Sequence, residues 1–156
     1  MKELVTTSAT NYNRNDAINV EPFLLSSESE KEPTTFEVEL FLNNEKYRYG
    51  FKTTNQAISR EYLFRNDDYL FIRNEGDFFL ADELKQSDFL EKKTRENALF
   101  LSVLAQFNEA VIQPIYDWFY NVSSIDGTRS KKYESKTYEM LKQEIYFPII
   151  EDFVKK

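Results

Sequence analysis

PTTFEVELFLNNEKYRYGFKTTNQAISREYLFRNDDYLFIR, residues 33–73, is the stretch whose reading decides the fold. Phe36, Val38, Leu40 and Leu42 point one way, with Glu37, Glu39 and Phe41 between them. After the polar Asn43-Asn44-Glu45-Lys46 the alternation resumes, with Tyr47, Tyr49 and Phe51 on one side and Arg48, Gly50 and Lys52 on the other. Period-two alternation broken by a polar turn is the signal of a half-buried antiparallel hairpin. A two-residue loop at Asn44-Glu45 sets Leu42 opposite Tyr47, Leu40 opposite Tyr49 and Val38 opposite Phe51. The same register sets Glu37 opposite Lys52 on the other face. A third strand is expected over 57–65, with Ile58, Arg60, Tyr62 and Phe64 on one face. Asn66-Asp67-Asp68 turns the chain into a fourth strand over 69–73. Asn74-Glu75-Gly76-Asp77 turns it again, with Gly76 free to take positive φ, into a short fifth strand at Phe78-Phe79-Leu80. The pattern is a meander, which names a scaffold and no activity.

Outward from this stretch the periodicity changes. Residues 1–8 read as the last turn or two of a helix with no capping residue ahead of Leu4 and Val5, and the Asn-rich 10–16 as a loop. Residues 18–25 are an extended segment that Pro22 assigns to an edge, and 26–32 (SSESEKE) a solvated connection. From Asp82 onward the spacing is helical. Leu84, Phe89 and Leu90 fall on one stripe of 82–93, and 97–108 is almost wholly apolar inside. That run reads as a buried helix started by Asn97, with a central strand as the alternative that periodicity leaves open. Residues 109–120 carry Trp118, the only tryptophan, on a further helix that Pro114 kinks or delays. Residues 134–154 form the longest helical pattern, with Tyr138, Leu141, Ile145 and Ile149 on one stripe and Pro148 as a kink. The expected fold is therefore α+β: an antiparallel meander of about five strands within 18–80, then three or four helices within 82–156, in a single domain or lobe of 156 residues. No internal repeat is visible.

Absences exclude more chemistry than presences suggest. There is no cysteine, so disulfides, thiolate metal sites and cysteine nucleophiles are ruled out. There is no histidine, which removes the commonest general base and the commonest metal ligand. The three glycines, Gly50, Gly76 and Gly127, stand too far apart to form a phosphate-cradling loop. A formal net charge of −7 argues against a domain whose main task is neutralising phosphates, although a local basic patch is compatible with it. No signal-peptide core and no run of about 18 apolar residues is present, so a cytoplasmic location without membrane attachment is expected.

Few side-chain clusters invite a chemical reading. Asp67-Asp68 falls at a turn that favours aspartate for local hydrogen bonding. Glu151-Asp152 follows Phe147-Pro148-Ile149-Ile150 in a pattern that is helical and contains a proline, unlike a Walker B strand. Lys92-Lys93-Thr94-Arg95 and Arg129-Ser130-Lys131-Lys132 are short basic clusters whose ordinary role is a solvated face. Tyr47, Tyr49, Phe51, Tyr62, Phe64 and Phe71 carry rings that stack bases in other settings, but their alternation and pairing assign them to the core or half-core. Gln106 ends an apolar run, and its amide needs a partner if it is buried. A bond to a neighbouring loop is the plain account of it.

Three passages in this order carry a resemblance: 20–25 (VEPFLL); Phe36-Glu37-Val38-Glu39-Leu40-Phe41 through Lys46-Tyr47-Arg48-Tyr49-Gly50-Phe51; and Asn97-Ala98-Leu99-Phe100-Leu101-Ser102 through Ala105-Gln106-Phe107-Asn108 with Trp118-Phe119. Together they resemble the interior of bacterial AAA-family ATP-binding proteins of the ABC/SMC-like type, related to the ATPase parts of overcoming-lysogenization-defect and phage-resistance proteins. The resemblance spans residues 1 to about 119. In that family a P-loop opens a helix running into a segment like Met1-Lys2-Glu3-Leu4-Val5. An antiparallel lobe and helices follow, and a signature motif and a Walker B strand come much later. This chain has none of those three catalytic elements, so the resemblance implies an interior part of such an ATPase, truncated at both ends. It implies ATP and Mg²⁺ as cofactors of the intact family and none for this chain alone, no catalytic or metal-ligating residue here, and Gln106 as the positional candidate for contact with nucleotide. The implied partner is the remainder of an ATPase, or a second copy through an apolar face left exposed. Nucleic acid is not expected as a partner of this chain alone. A module that binds another protein without chemistry is the alternative.

Overall fold

The computed structural model describes residues 1–21, 32–123, 135, 138–142, 146, 148 and 151. The chain divides into two units, Met1–Val122 and Ser123–Lys156. The first opens with helix α1 (Lys2–Asn11), followed by five strands, β1 (Thr34–Leu42), β2 (Glu45–Thr53), β3 (Ile58–Arg65), β4 (Asp68–Asn74) and β5 (Asp77–Leu80). A 3-10 helix (Asp82–Lys93) and two α-helices, α2 (Phe100–Gln106) and α3 (Gln113–Asn121), complete it. The strands form one antiparallel sheet in the order β1-β2-β3-β4-β5, so the expected α+β meander followed by helices is present.

Three of the four connections are two-residue turns whose central residues both have positive φ: Asn43-Asn44, Asn66-Asp67 and Glu75-Gly76. Paired left-handed residues match the right-handed twist of the strands they join, and Asn, Asp and Gly tolerate that conformation best. This geometry corrects the hairpin register. The loop is Asn43-Asn44, not Asn44-Glu45, so Leu42 faces Glu45, Leu40 faces Tyr47, Val38 faces Tyr49 and Phe36 faces Phe51. The slip is two residues, an even number, so every side chain keeps its expected face while its cross-strand partner changes. Lys52 stands opposite Thr35, and Glu37 stands opposite Gly50.

A second correction concerns β3. The β2–β3 register shifts near Thr53, where a bulge leaves Ile58 on the buried side. Beyond it Glu61 and Leu63 face the core, whereas Arg60, Tyr62 and Phe64 face outward. Tyr47, Tyr49, Phe51 and Phe71 are buried as expected. On the outer face the rings of Tyr62 and Phe64 meet edge to face at 5.9 Å. Arg48 lies over Phe64 at 4.7 Å and Arg60 over Tyr62 at 5.5 Å.

The helices supply the apolar cover for the inner face. Phe100 of α2 packs edge-on against Phe71 at 5.2 Å and Phe78 at 4.9 Å, and Phe119 of α3 packs against Tyr49 at 5.8 Å. Residues 100–106 are helical, which settles the helix-or-strand alternative, but Asn97 does not start the helix. Leu99 is the N-cap, and the buried Asn97 amide donates instead to the carbonyls of Asn13 and Asp16, pinning the loop after α1. Pro114 delays α3, standing in its first turn. Leu84 and Leu90 of the 3-10 helix are buried, whereas Phe89 is exposed. Helix α1 continues to Asn11, beyond the 1–8 expected, and packs on α2 and α3. Its direction is opposite to that of α3: Thr6 accepts from the Tyr116 hydroxyl, and Lys2 donates to the carbonyls of Tyr120 and Val122.

In the second unit residues 138–141 are helical. Most of the expected 134–154 helix, the Asp126-Gly127 loop and the Arg129–Lys132 cluster lie outside the described residues, as does the second half of the 18–25 segment. Of that segment, Ile18 is buried and donates to the carbonyl of Asn55.

Candidate functional site

Two polar constellations stand out in the first unit. The first is buried. Glu61, at 0% exposure on β3, lies beneath the start of α2. Its carboxylate accepts from the Phe100 N–H at 2.6 Å, the Leu101 N–H at 3.0 Å and the Tyr49 hydroxyl at 3.0 Å. The first turn of a helix leaves N–H groups without partners, and Leu99 at the N-cap has no polar side chain to offer. A carboxylate from the sheet does that capping, and its negative charge also suits the positive end of the helix. The Arg73 guanidinium stands 3.9 Å from Glu61 and donates to the Ala98 carbonyl at 2.7 Å. Burial raises the Glu61 carboxyl above its ordinary pKa, opposed by Arg73, by the two backbone N–H groups and by Tyr49. Burial lowers Arg73, opposed chiefly by Glu61. Burial also pushes the Tyr49 phenol well up, reinforced by Glu61. Through these bonds the cluster fastens β2, β3, β4 and α2 together.

The second constellation is open to solvent. Arg14 and Asn15 from the loop after α1, with Lys92, Lys93, Thr94, Arg95 and Glu96 from the end of the 3-10 helix and beyond, line a cavity of about 550 Å³. Arg95 reaches back to α1, donating through Nη2 to the carbonyls of Ser8 and Ala9. Those carbonyls belong to the last turn of the helix, where a cation complements the dipole. The arginine Nε is buried and has no protein partner. The Lys92–Arg95 run, whose ordinary role is a solvated face, is thus one wall of a polar cavity. Spacing alone did not signal this, because Arg14 comes from nearly eighty residues earlier in the chain.

The remaining candidates are not brought together. Gln106 is exposed in the last turn of α2, so its amide has water and needs no buried partner. Asp67 is a turn residue and Asp68 begins β4, both exposed. Glu151 is exposed, and Asp152 lies outside the described residues. Among the described residues no group of three or more Asp or Glu side chains is placed to hold a metal ion. Nor is any described helix long and apolar enough to cross a membrane.

Gly50 lies inside the sheet and Gly76 in a hairpin turn, so neither contributes to a backbone N–H cradle for phosphates. Comparison with known protein families, with curated proteins and with solved structures finds no match to this chain.

Proposed function

We propose that this chain is the antiparallel lobe and adjoining helices of an ATP-binding protein of the ABC/SMC-like type, of the kind linked to phage resistance. The observation that supports this reading is the element order. One helix precedes the meander, two α-helices follow it, and the first helix packs on the later two. The resemblance implies that order, and its passages at 36–51, 97–108 and 118–119 coincide with β1, β2, α2 and α3. In this reading the lobe contributes scaffold and positioning, and the phosphate cradle belongs to a P-loop that this chain does not contain. Exposed Gln106 is the residue offered to a nucleotide held elsewhere.

Three measurements test the reading. Isothermal titration of this chain with Mg-ATP is expected to show no micromolar binding, and a micromolar affinity would overturn the division of labour. The coding sequence ahead of Met1 is expected to carry G-x-x-x-x-G-K-[ST] in frame, leading into α1. An unrelated sequence there would instead favour the protein-binding module. In a P-loop-bearing protein that contains this lobe, Gln106→Ala is expected to slow hydrolysis at least about tenfold. Unchanged hydrolysis removes Gln106 from the site.

A further inference from the structure

We propose that the cavity between the loop after α1 and the end of the 3-10 helix is a binding site for a small phosphate-bearing anion. Four cationic residues, Arg14, Lys92, Lys93 and Arg95, line it against a single carboxylate, Glu96. This concentration of positive charge occurs on a chain whose formal net charge is −7. The position of Lys92 and Lys93 in the last turn of the 3-10 helix accounts for their sign, since cations are favoured there. It does not account for Arg14 on the opposite wall, nor for a cavity of about 550 Å³ between them, within the usual size of small-ligand sites.

Arg95 supplies the more specific argument. Its guanidinium is already fixed, because Nη2 donates to Ser8 at 3.3 Å and to Ala9 at 2.8 Å. A guanidinium held in this way keeps its positive charge beside the cavity at little further entropic cost on binding. Arginine beside flexible lysines is also the usual side-chain set for phosphate, combining a fixed fork with mobile point charges. The site differs in kind from a P-loop, since its donors are side chains and not a glycine-rich backbone. The proposal is therefore independent of the ATPase-lobe reading, and either can fail alone.

The test is a titration of the whole chain with inorganic tripolyphosphate, without metal, followed by amide chemical shifts and by calorimetry. Binding with a Kd between about 0.1 and 1 mM at low salt is expected, weaker than the micromolar affinity a nucleotide cradle would give, and weakening further as salt is added. The shifts are expected to centre on residues 14–15 and 92–96. Arg14→Ala combined with Lys93→Ala, two exposed changes, is expected to weaken binding at least about tenfold. Lys46→Ala with Lys52→Ala, on the outer face of the sheet, is expected to leave it unchanged. Absent binding, shifts centred elsewhere, or equal loss in both double variants overturns the site. A thymidine oligonucleotide that binds through these residues while tripolyphosphate does not overturns the assignment to a small ligand.

Discussion

Gly50 stands second in a row that crosses all five strands: Glu37, Gly50, Tyr62, Ile72 and Phe79. The Tyr62 side chain lies across the position a Cβ would occupy at residue 50, and its hydroxyl reaches the Glu37 carboxylate. An alanine methyl there would stand 2.5 Å from the tyrosine oxygen and 2.9 Å from the Phe36 carbonyl. The ring can swing aside, but the backbone carbonyl cannot. Gly50→Ala is therefore expected to destabilise the fold by about 1–3 kcal/mol, measured by urea denaturation. Tyr62→Ala in the same background should recover only part of the loss. At Glu61, Glu61→Gln keeps the shape but turns an amide NH₂ toward backbone N–H donors and leaves Arg73 buried without its counter-charge. A loss of roughly 3–5 kcal/mol is expected. A carboxyl whose pKa is raised by folding binds more protons in the folded state. Its contribution to stability is thus greatest below the ordinary carboxylate range and declines as pH rises through the raised value. A ¹³C titration of the Glu61 carboxyl is expected to show a midpoint above the usual 4.5, and one at or below it contradicts the assignment.

At the scale of elements, the hairpin shows how much local chemistry specifies and where it stops. Alternation assigned the side chains of β1 and β2 to the correct faces, because the face depends only on parity. The partner pairs depended on which two residues form the turn, and charge pairing of Glu37 with Lys52 favoured the wrong choice. The deciding physics is left-handed backbone at both Asn43 (φ 52°) and Asn44 (φ 64°), which Asn-Asn tolerates and Asn-Glu tolerates less well. Asn44→Gly should therefore stabilise the hairpin by up to about 1 kcal/mol, read from the thermal midpoint, and a loss of stability would contradict the turn assignment. Helix α2, at seven residues, is too short to persist alone and depends on its docking. Ser8 and Ser102 exchange hydrogen bonds with the partner backbone, Leu99 N–H to Ser8 Oγ at 3.1 Å and Ala9 N–H to Ser102 Oγ at 3.2 Å. Ser8→Ala leaves a buried N–H unsatisfied, so a loss of about 1–3 kcal/mol is expected on denaturation.

For the molecule as a whole, the unit Met1–Val122 carries its own core, built from α1, the sheet, α2 and α3. A chain ending at residue 123 is expected to retain a single cooperative thermal transition by circular dichroism, and a gradual, non-cooperative loss of signal would contradict an independent core. The α+β class, the meander, the strand faces at β1 and β2 and the delay imposed by Pro114 were legible in the sequence, because each follows from short-range periodicity or from one residue's backbone limits. The parts that depend on distant residues were not. Nothing local singles out Glu61 on its strand, and only the arrival of α2 some forty residues later makes it a helix cap. Asn97 looked like a helix start, yet the loop at 13–16 claims its amide. Lys92, Lys93 and Arg95 read as solvated charge until Arg14 closes the other wall of their cavity. Local sequence sets which face a side chain presents where no bulge intervenes, as in β1 and β2 but not β3. Which charges, N–H groups and carbonyls meet across the core is decided only when the chain folds back on itself, since those partners lie tens of residues apart and no local period encodes them.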